Sequence, residues 1–496
     1  MMRCTPHGVS ALVVVLGVSL GAQQNNEEFA RLQYESGMNF LQSHRDVEAM
    51  KDLQVVVDSF SASSVADDAL LQIARYQLEN GHDLDAAQTA IDKLLKDYPD
   101  TDSAPMAHVL SGRISFGKAR TPAALDAALA SYERVPRLFP GNDAVAAAGY
   151  FAGEALRIVR RHGEALERYR RVSMEYPRST WTARAHVSAG YCLVQQHNVT
   201  QAFQEFQRAR HMLPGSPIAD EALDLSSIAY RLYLRNAQPP FEVSSKTIGS
   251  DVAAYRGVVG IEFDAQGQLM LGHKAGISIF KTDGSLAQTV SAVEPSAFFV
   301  DEQDRIVVAR QGTLVTERAE AIAFSAPASD GQMRAVNKIP AALPTEGGER
   351  LIANPRGGNV LRALPSGRFV SVFATGNVSR MAQNWVGDVA MIDKSTKSIV
   401  IVDRDGKMLS TIAAKGTGYE FATPVDLAFD ALDHLYVLDR SRSSVFVFGV
   451  DNTLVSTLTR PDKSPGALNR GEAIGVDGAG RLYVFDSRSR RVQVYQ

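Results

Sequence analysis

A phrase recurs five times in the first half of the chain and restricts that half to a tandem array. It reads DSFSASSVADDAL from Asp58, KDYPDTDSAPMAH from Lys96, RLFPGNDAVAAAG from Arg137, MEYPRSTWTARAH from Met174 and HMLPGSPIADEAL from His211. Its prolines, Pro99, Pro140, Pro177 and Pro214, stand 41, 37 and 37 residues apart. A fixed period of this size marks a solenoid whose units bury their apolar faces only against each other. An aromatic or leucine closes one helix, and proline stops it because it has no N–H to continue the ladder. A Ser, Asp or Asn then caps the next helix, and alanines allow its neighbours to approach closely. The pattern predicts five helix pairs and a final helix over Ile218–Arg235. NAQPP (236–240) then breaks the helical pattern as a linker.

These units resemble tetratricopeptide repeats. In one, Gly153, Ala165, Tyr169 and Pro177 fall at the small, small, aromatic and proline places; in the next, Gly190, Ala202, Phe206, Ala209 and Pro214 do. Weaker units keep Gly37; Ala87 and Pro99; and Ala128, Tyr132 and Pro140. The long loop before each new helix is similar to the exported bacterial branch. That branch includes the lipoprotein of outer-membrane β-barrel assembly and the Tol–Pal-associated periplasmic protein. The chain departs from the first by lacking a lipidation cysteine, so membrane anchoring does not carry over. The resemblance covers Glu27 to Arg235. By repeat position it implies a groove lined by Tyr76, Tyr150, Glu154, Arg157, Arg184 and Tyr191. Aromatic and charged side chains there suit capture of a peptide or partner helix; packing between helices is the alternative for the tyrosines.

After Phe241 the periodicity changes from helical to alternating. VDLAFDALDHLYVLDRSRSSVFVFGVDNTLVSTL from Val425 returns as AIGVDGAGRLYVFDSRSRRVQVYQ from Ala473, with weaker copies from Gly260, Phe298 and Val389. The pattern resembles NHL repeats. Asp430, Leu435, Tyr436, Val437, Asp439, Val445 and Phe448 carry the likeness in one copy. In the last copy Asp477, Gly480, Leu482, Tyr483, Val484, Asp486, Val492 and Tyr495 carry it. The pattern is faint from Gln332 to Phe369. At roughly 42 residues per blade the segment holds six blades. The last copy has three strands, and Phe241–Gly249 is expected to supply the fourth and close the ring.

The expected fold is therefore multi-domain α plus β: an all-α tetratricopeptide-type solenoid (23–235), a linker (236–241) and an all-β six-bladed NHL-type propeller (242–496). Residues 1–22 have a secretory signal shape: Arg3, an apolar run from Val9 to Leu20, then Gly21 and Ala22. This predicts a periplasmic or secreted protein with no transmembrane segment in its mature form. The net charge of −3 argues against nucleic acid as a partner. Of two cysteines, Cys4 lies in the leader, so Cys192 forms no internal disulfide and reads as buried filler.

The sequence carries no recognisable catalytic machinery. Asp301 and Asp304, Asp403 and Asp405, and Asp430 and Asp433 read as turn residues, because none has the alternating oxygens of a calcium loop. Asp439 and Asp486 end strands at equivalent places. They either line a propeller mouth or bond to neighbouring blade backbone. His273 and His434 fall in unrelated turns, and no converging set recurs on first strands. The eight arginines between Arg157 and Arg184 interleave with Glu164, Glu167 and Glu175, as on a solvated face. No phosphate loop, metal-protease pair or nucleophile elbow occurs. The reading is a non-enzymatic interaction scaffold of the cell envelope that holds a protein or peptide, with a glycan as a further candidate. No cofactor and no metal are expected. The alternatives are a propeller hydrolase or lyase with a helical recruitment domain, and a plain spacer.

Overall fold

The computed structural model describes residues 10–235, 240–248, 255–292, 294–301, 303–316, 320–328, 331–345, 347–459 and 467–496, with the side chains of 10–24 and of residue 246 outside that description. Of the expected leader, residues 1–9 fall outside it and residues 10–22 are described by backbone alone, as the start of a helix; residues 236–239 of the expected linker also fall outside it. No described helix is long and apolar enough to cross a membrane. The chain divides into two compact units, Met1–Cys192 and Leu193–Gln496. The division falls inside the helical region.

The first unit runs through α1 (Ser10–Gln42), α2 (Asp46–Ser59), α3 (Ala66–Glu79), α4 (Leu84–Asp97), α5 (Ala104–Lys118), α6 (Pro122–Leu138), α7 (Ala144–Ile158), α8 (His162–Glu175) and most of α9 (Thr180–Gln195). α1 packs on α2, α3 on α4, α5 on α6 and α7 on α8, while α3, α5 and α7 neighbour one another in turn. The prolines act as expected: α4, α6 and α8 each stop two residues before Pro99, Pro140 and Pro177. The small–aromatic pairs are the contact points within a hairpin. A Cβ at Gly153 would overlap the ring of Tyr169, and one at Gly112 would overlap Tyr132. Capping is less regular than the sequence suggests. Asp83 and Thr121 cap α4 and α6 through their side chains. Ser103, before α5, does not cap and gives its hydroxyl to Asp68 at 2.8 Å. Cys192 is free and buried, and burial pushes its thiol up to about 12.

The second unit opens with α10 (Val199–Met212) and α11 (Pro217–Ala229), which is capped by Ser216 and ends in a π-turn at Tyr230–Leu234. Six four-stranded antiparallel sheets follow. Their first strands are Gly260–Phe263, Ala297–Val300, Ala342–Pro344, Val378–Gln383, Pro424–Phe429 and Gly471–Val476. Each neighbours the next and the sixth neighbours the first, so the sheets are the blades of a closed six-bladed propeller. Val243–Ile248 pairs antiparallel with Arg491–Tyr495 and supplies the fourth strand of the sixth blade. The N-terminal strand thereby closes the ring with the last residues and leaves no open sheet edge between them.

One turn, between first and second strands, repeats in all six blades. Its first residue donates its N–H to the carbonyl four residues on: Asp264 to Gln268, Asp301 to Arg305, Thr345 to Glu349, Asn384 to Asp388, Asp430 to His434, Asp477 to Arg481. The fourth residue has positive φ in every case: Gly267, Asp304, Gly348, Gly387, Asp433 and Gly480. Glycine or aspartate is favoured there because a left-handed backbone penalises most Cβ atoms. In five blades the Asp or Asn side-chain oxygen also accepts the returning N–H. The third blade uses Thr345 in that place, which is why its copy is faint in the sequence.

The π-turn of α11 docks against the propeller inside this unit. Arg231 donates to the carbonyl of Gly480 at 2.6 Å. Tyr233 Oη bonds His434 Nε2 at 2.7 Å, and His434 Nδ1 meets Asp430 Oδ2 at 2.8 Å. His434, expected in an ordinary turn, is fully buried, and Tyr436 also donates to Asp430.

Candidate functional site

The structure brings four of the six expected groove residues together. Glu154 and Arg157, one turn apart on α7, form an ion pair with side-chain exposures of 16% and 11%. Glu154 also accepts from Tyr169 of α8 at 2.6 Å and Ser188 of α9 at 2.7 Å. The Arg157 guanidinium lies 4.9 Å from the ring centre of Tyr191, which is buried. Burial pushes the Glu154 carboxyl upward, but Arg157, Tyr169 and Ser188 outweigh it and leave the group below its usual range. Burial raises the phenols of Tyr150 and Tyr169. The cluster ties three helices together through hydrogen-bonded charge.

Next to it lies a half-buried aromatic group. Tyr150 is 5.4 Å from Trp181 between ring centres, and Phe151 is 5.1 Å from both. Arginines flank it: Arg113 of α5 over Phe151 at 4.6 Å, and the exposed Arg184 over Trp181 at 5.9 Å. Cation–π contacts of this kind are worth about 0.5–1 kcal/mol at a surface. Arg113 also pairs with Glu79 of α3 at 2.6 Å, so a row of charged and aromatic side chains crosses α3, α5, α7 and α9. Tyr76 stands apart, half-buried on α3 and bonded to Asp46 of α2 at 3.2 Å.

In the propeller, Asp439 and Asp486 are fully buried. Asp439 accepts the N–H groups of Ala422, Thr423 and Arg442. Asp486 accepts those of Asn469, Arg470, Arg488 and Ser489. These bonds run within each aspartate's own blade, from the end of the second strand to the loop entering the first and to the turn that follows the second, rather than to a neighbouring blade. Their carboxylate oxygens are occupied by backbone.

The propeller's central cavity, about 320 Å³, is lined by the first strands of the blades. Here the expectation of no converging set on those strands needs correction. Glu262 of the first blade, Arg380 of the fourth and Asp426 of the fifth share the channel. Asp426 accepts the Ile474 N–H at 3.0 Å, and its other oxygen is 3.7 Å from Arg380 Nε. Arg380 Nη1 donates to the carbonyls of Pro340 and Ser379. Burial raises Asp426 to about 6 against the pull of Arg380 and of backbone N–H groups. Depth within the ring, then the charge of Asp426, raises Glu262 to about 8. Glu262 is nevertheless exposed to solvent, which screens part of that effect. The pair holds one protonated acid beside a carboxylate near neutrality, an arrangement able to bind a cation or move a proton. The three residues lie far apart in sequence on strands that otherwise read as apolar, so spacing could not reveal them; a charged residue inside GIEF, VSRMAQ or VDLAF was the available signal.

Glu262→Gln removes a group that folding forces to keep its proton. A carboxyl raised in the folded state loses stability as pH rises from its ordinary value of 4.5 towards 8. The variant is expected to match the parent at pH 5 and to exceed it at pH 8.5, by about 1 kcal/mol after screening. Chemical denaturation at both pH values measures this.

A tetratricopeptide-repeat model matches residues 68–101, spanning α3 and α4. An NHL-repeat model matches residues 421–448, in the fifth blade. None of the curated proteins matches the chain. Similar solved structures include a Bacteroides thetaiotaomicron protein of unknown function, at 15% identity and TM-score 0.39, covering 50% of this chain and 72% of its own. Another is a catalytically inactive virginiamycin B lyase from Staphylococcus aureus with quinupristin, at 10% identity and TM-score 0.34, covering 52% and 99%. A Xanthomonas campestris gluconolactonase matches at 16% identity and TM-score 0.37, covering 49% and 86%. Likenesses this distant say nothing about this chain's chemistry. With its repeats matched at both ends, the chain joins tetratricopeptide-type helical hairpins to an NHL-type six-bladed propeller.

Proposed function

We propose that this protein is an exported, non-enzymatic scaffold of the bacterial cell envelope. Its helical array, 23–235, grips a segment of a partner protein, and its propeller, 242–496, offers a second surface to protein or glycan. Both repeat types build interaction domains. The observation that carries the reading is the row Arg113, Phe151, Tyr150, Trp181 and Arg184 on the first helices of successive hairpins. Half-open aromatic rings with guanidinium edges are the commonest composition of a binding hot spot. Glu154 and Arg157 hold that row from beneath.

The test is capture of partners from envelope extracts with the mature chain, comparing the parent with Trp181→Ala and Arg184→Glu. A reproducible partner lost roughly tenfold or more in both variants supports the reading. No reproducible partner, or one held equally by the variants, overturns it. A second reading, a propeller hydrolase or lyase, is favoured by the Glu262–Asp426 pair in the channel. It requires turnover of a lactone or ester that Glu262→Gln abolishes.

A further inference from the structure

Asp67 and Asp68 occupy the first turn of α3, and Asp102 lies in the loop that leads into α5. One carboxylate oxygen from each lies within 4.8 Å of the other two. The Asp67 side chain is buried in a residue only 3% exposed, and its Oδ2 has no hydrogen-bond partner. Asp68 accepts one bond, from Ser103. Among the described residues no Lys, Arg or His pairs with any of the three, and the charges that act on Asp68 are those of Asp67 and Asp102. A helix N-terminus favours a negative charge in its first turn. It does not account for a buried oxygen without a donor on a residue whose carboxyl group approaches two more acids. A buried side-chain oxygen with no donor is an exception in folded proteins, and a bound ion is one explanation of it.

We propose that Asp67, Asp68 and Asp102 bind a divalent cation of the calcium class. Their donors are hard oxygens, which calcium accepts in irregular sets of six to eight, with water completing the shell; magnesium demands a stricter octahedron. The exposed Asp102 gives the ion its path in. The ion ties the start of the second hairpin to the start of the third, so it staples the array across a loop that the Ser103–Asp68 and Tyr98–Ser61 bonds also hold. The site is independent of the partner-binding row.

The test uses the full mature chain stripped with a chelator. Terbium should bind and luminesce through Tyr34 and Tyr98, whose phenols both sense the charge of Asp67. Calcium should displace it and raise the melting midpoint of the helical transition by roughly 5–10 °C. Asp67→Asn should remove the shift. Asp102→Asn, at an exposed position that folding tolerates, should weaken calcium roughly tenfold or more. Equal midpoints in calcium and chelator for the parent would overturn the proposal. So would a calcium shift that persists undiminished in both variants.

Discussion

Replacing Asp486 by alanine is expected to destabilise the propeller by about 4 kcal/mol or more, among the largest effects a single substitution gives. The carboxylate is fully buried and accepts four backbone N–H groups. Hydrogen bonds to a charged group are each worth about 1.5–3 kcal/mol, and a donor left unsatisfied costs about 1–3. Asp486→Asn should cost less, because its one carbonyl oxygen still accepts from one side while its amide meets donors on the other. Asp439→Ala should behave alike, since it binds Ala422, Thr423 and Arg442 in the same geometry. Urea denaturation followed through the propeller's signal measures both. A loss below 1 kcal/mol would mean that these aspartates are not the struts described and remain available to a ligand.

The second large effect lies in the helical unit. Glu154→Ala is expected to cost about 3–5 kcal/mol, because it strands the enclosed Arg157 and the hydroxyls of Tyr169 and Ser188. Glu154→Gln, which keeps the size, separates charge from packing through pH. The folded Glu154 carboxyl lies below its ordinary value of 4.5: burial raises it, but Arg157, Tyr169 and Ser188 prevail. The unfolded chain therefore binds the proton first as pH falls. The stabilisation is complete above pH 4.5 and is lost as pH drops through the folded value. The gap between parent and Glu154→Gln should be widest at pH 7 and close under acid. A gap that stays constant from pH 7 to pH 3.5 would show that the carboxylate's charge does not hold the cluster.

Much of this architecture is written into local chemistry. Prolines at Pro99, Pro140 and Pro177 must end helices, and they do so two residues after each helix stops. The pairing of Gly153 with Tyr169 shows in the repeat because one side needs no Cβ where the other places a ring. Asp430 and Asp477 mark blades because their turns need a side-chain acceptor at the first place. The third blade is faint in the sequence because Thr345 stands where the others carry Asp or Asn, although Gly348 keeps the positive φ. Site chemistry is less legible, since it is assembled by closure. Glu262, Arg380 and Asp426 meet only when three blades converge. Asp67, Asp68 and Asp102 meet only when one hairpin stacks on the next. Repeat position singled out Glu154 and Arg157 as members of a groove. It could not show that they would satisfy each other, because that depends on Ser188 and Tyr169 arriving from neighbouring helices.

The propeller ring is closed by chain segments about 250 residues apart. Backbone bonds join Glu242 to Gln496 in both directions at 2.8 Å, and Val243–Ile248 runs along Arg491–Tyr495. Amide hydrogen exchange across the intact protein reads this directly. The amides of Arg491–Tyr495 should exchange as slowly as those of Leu435–Asp439, an interior strand of the fifth blade. Fast exchange confined to 242–248 and 491–495, as at a frayed edge, would contradict a closed propeller.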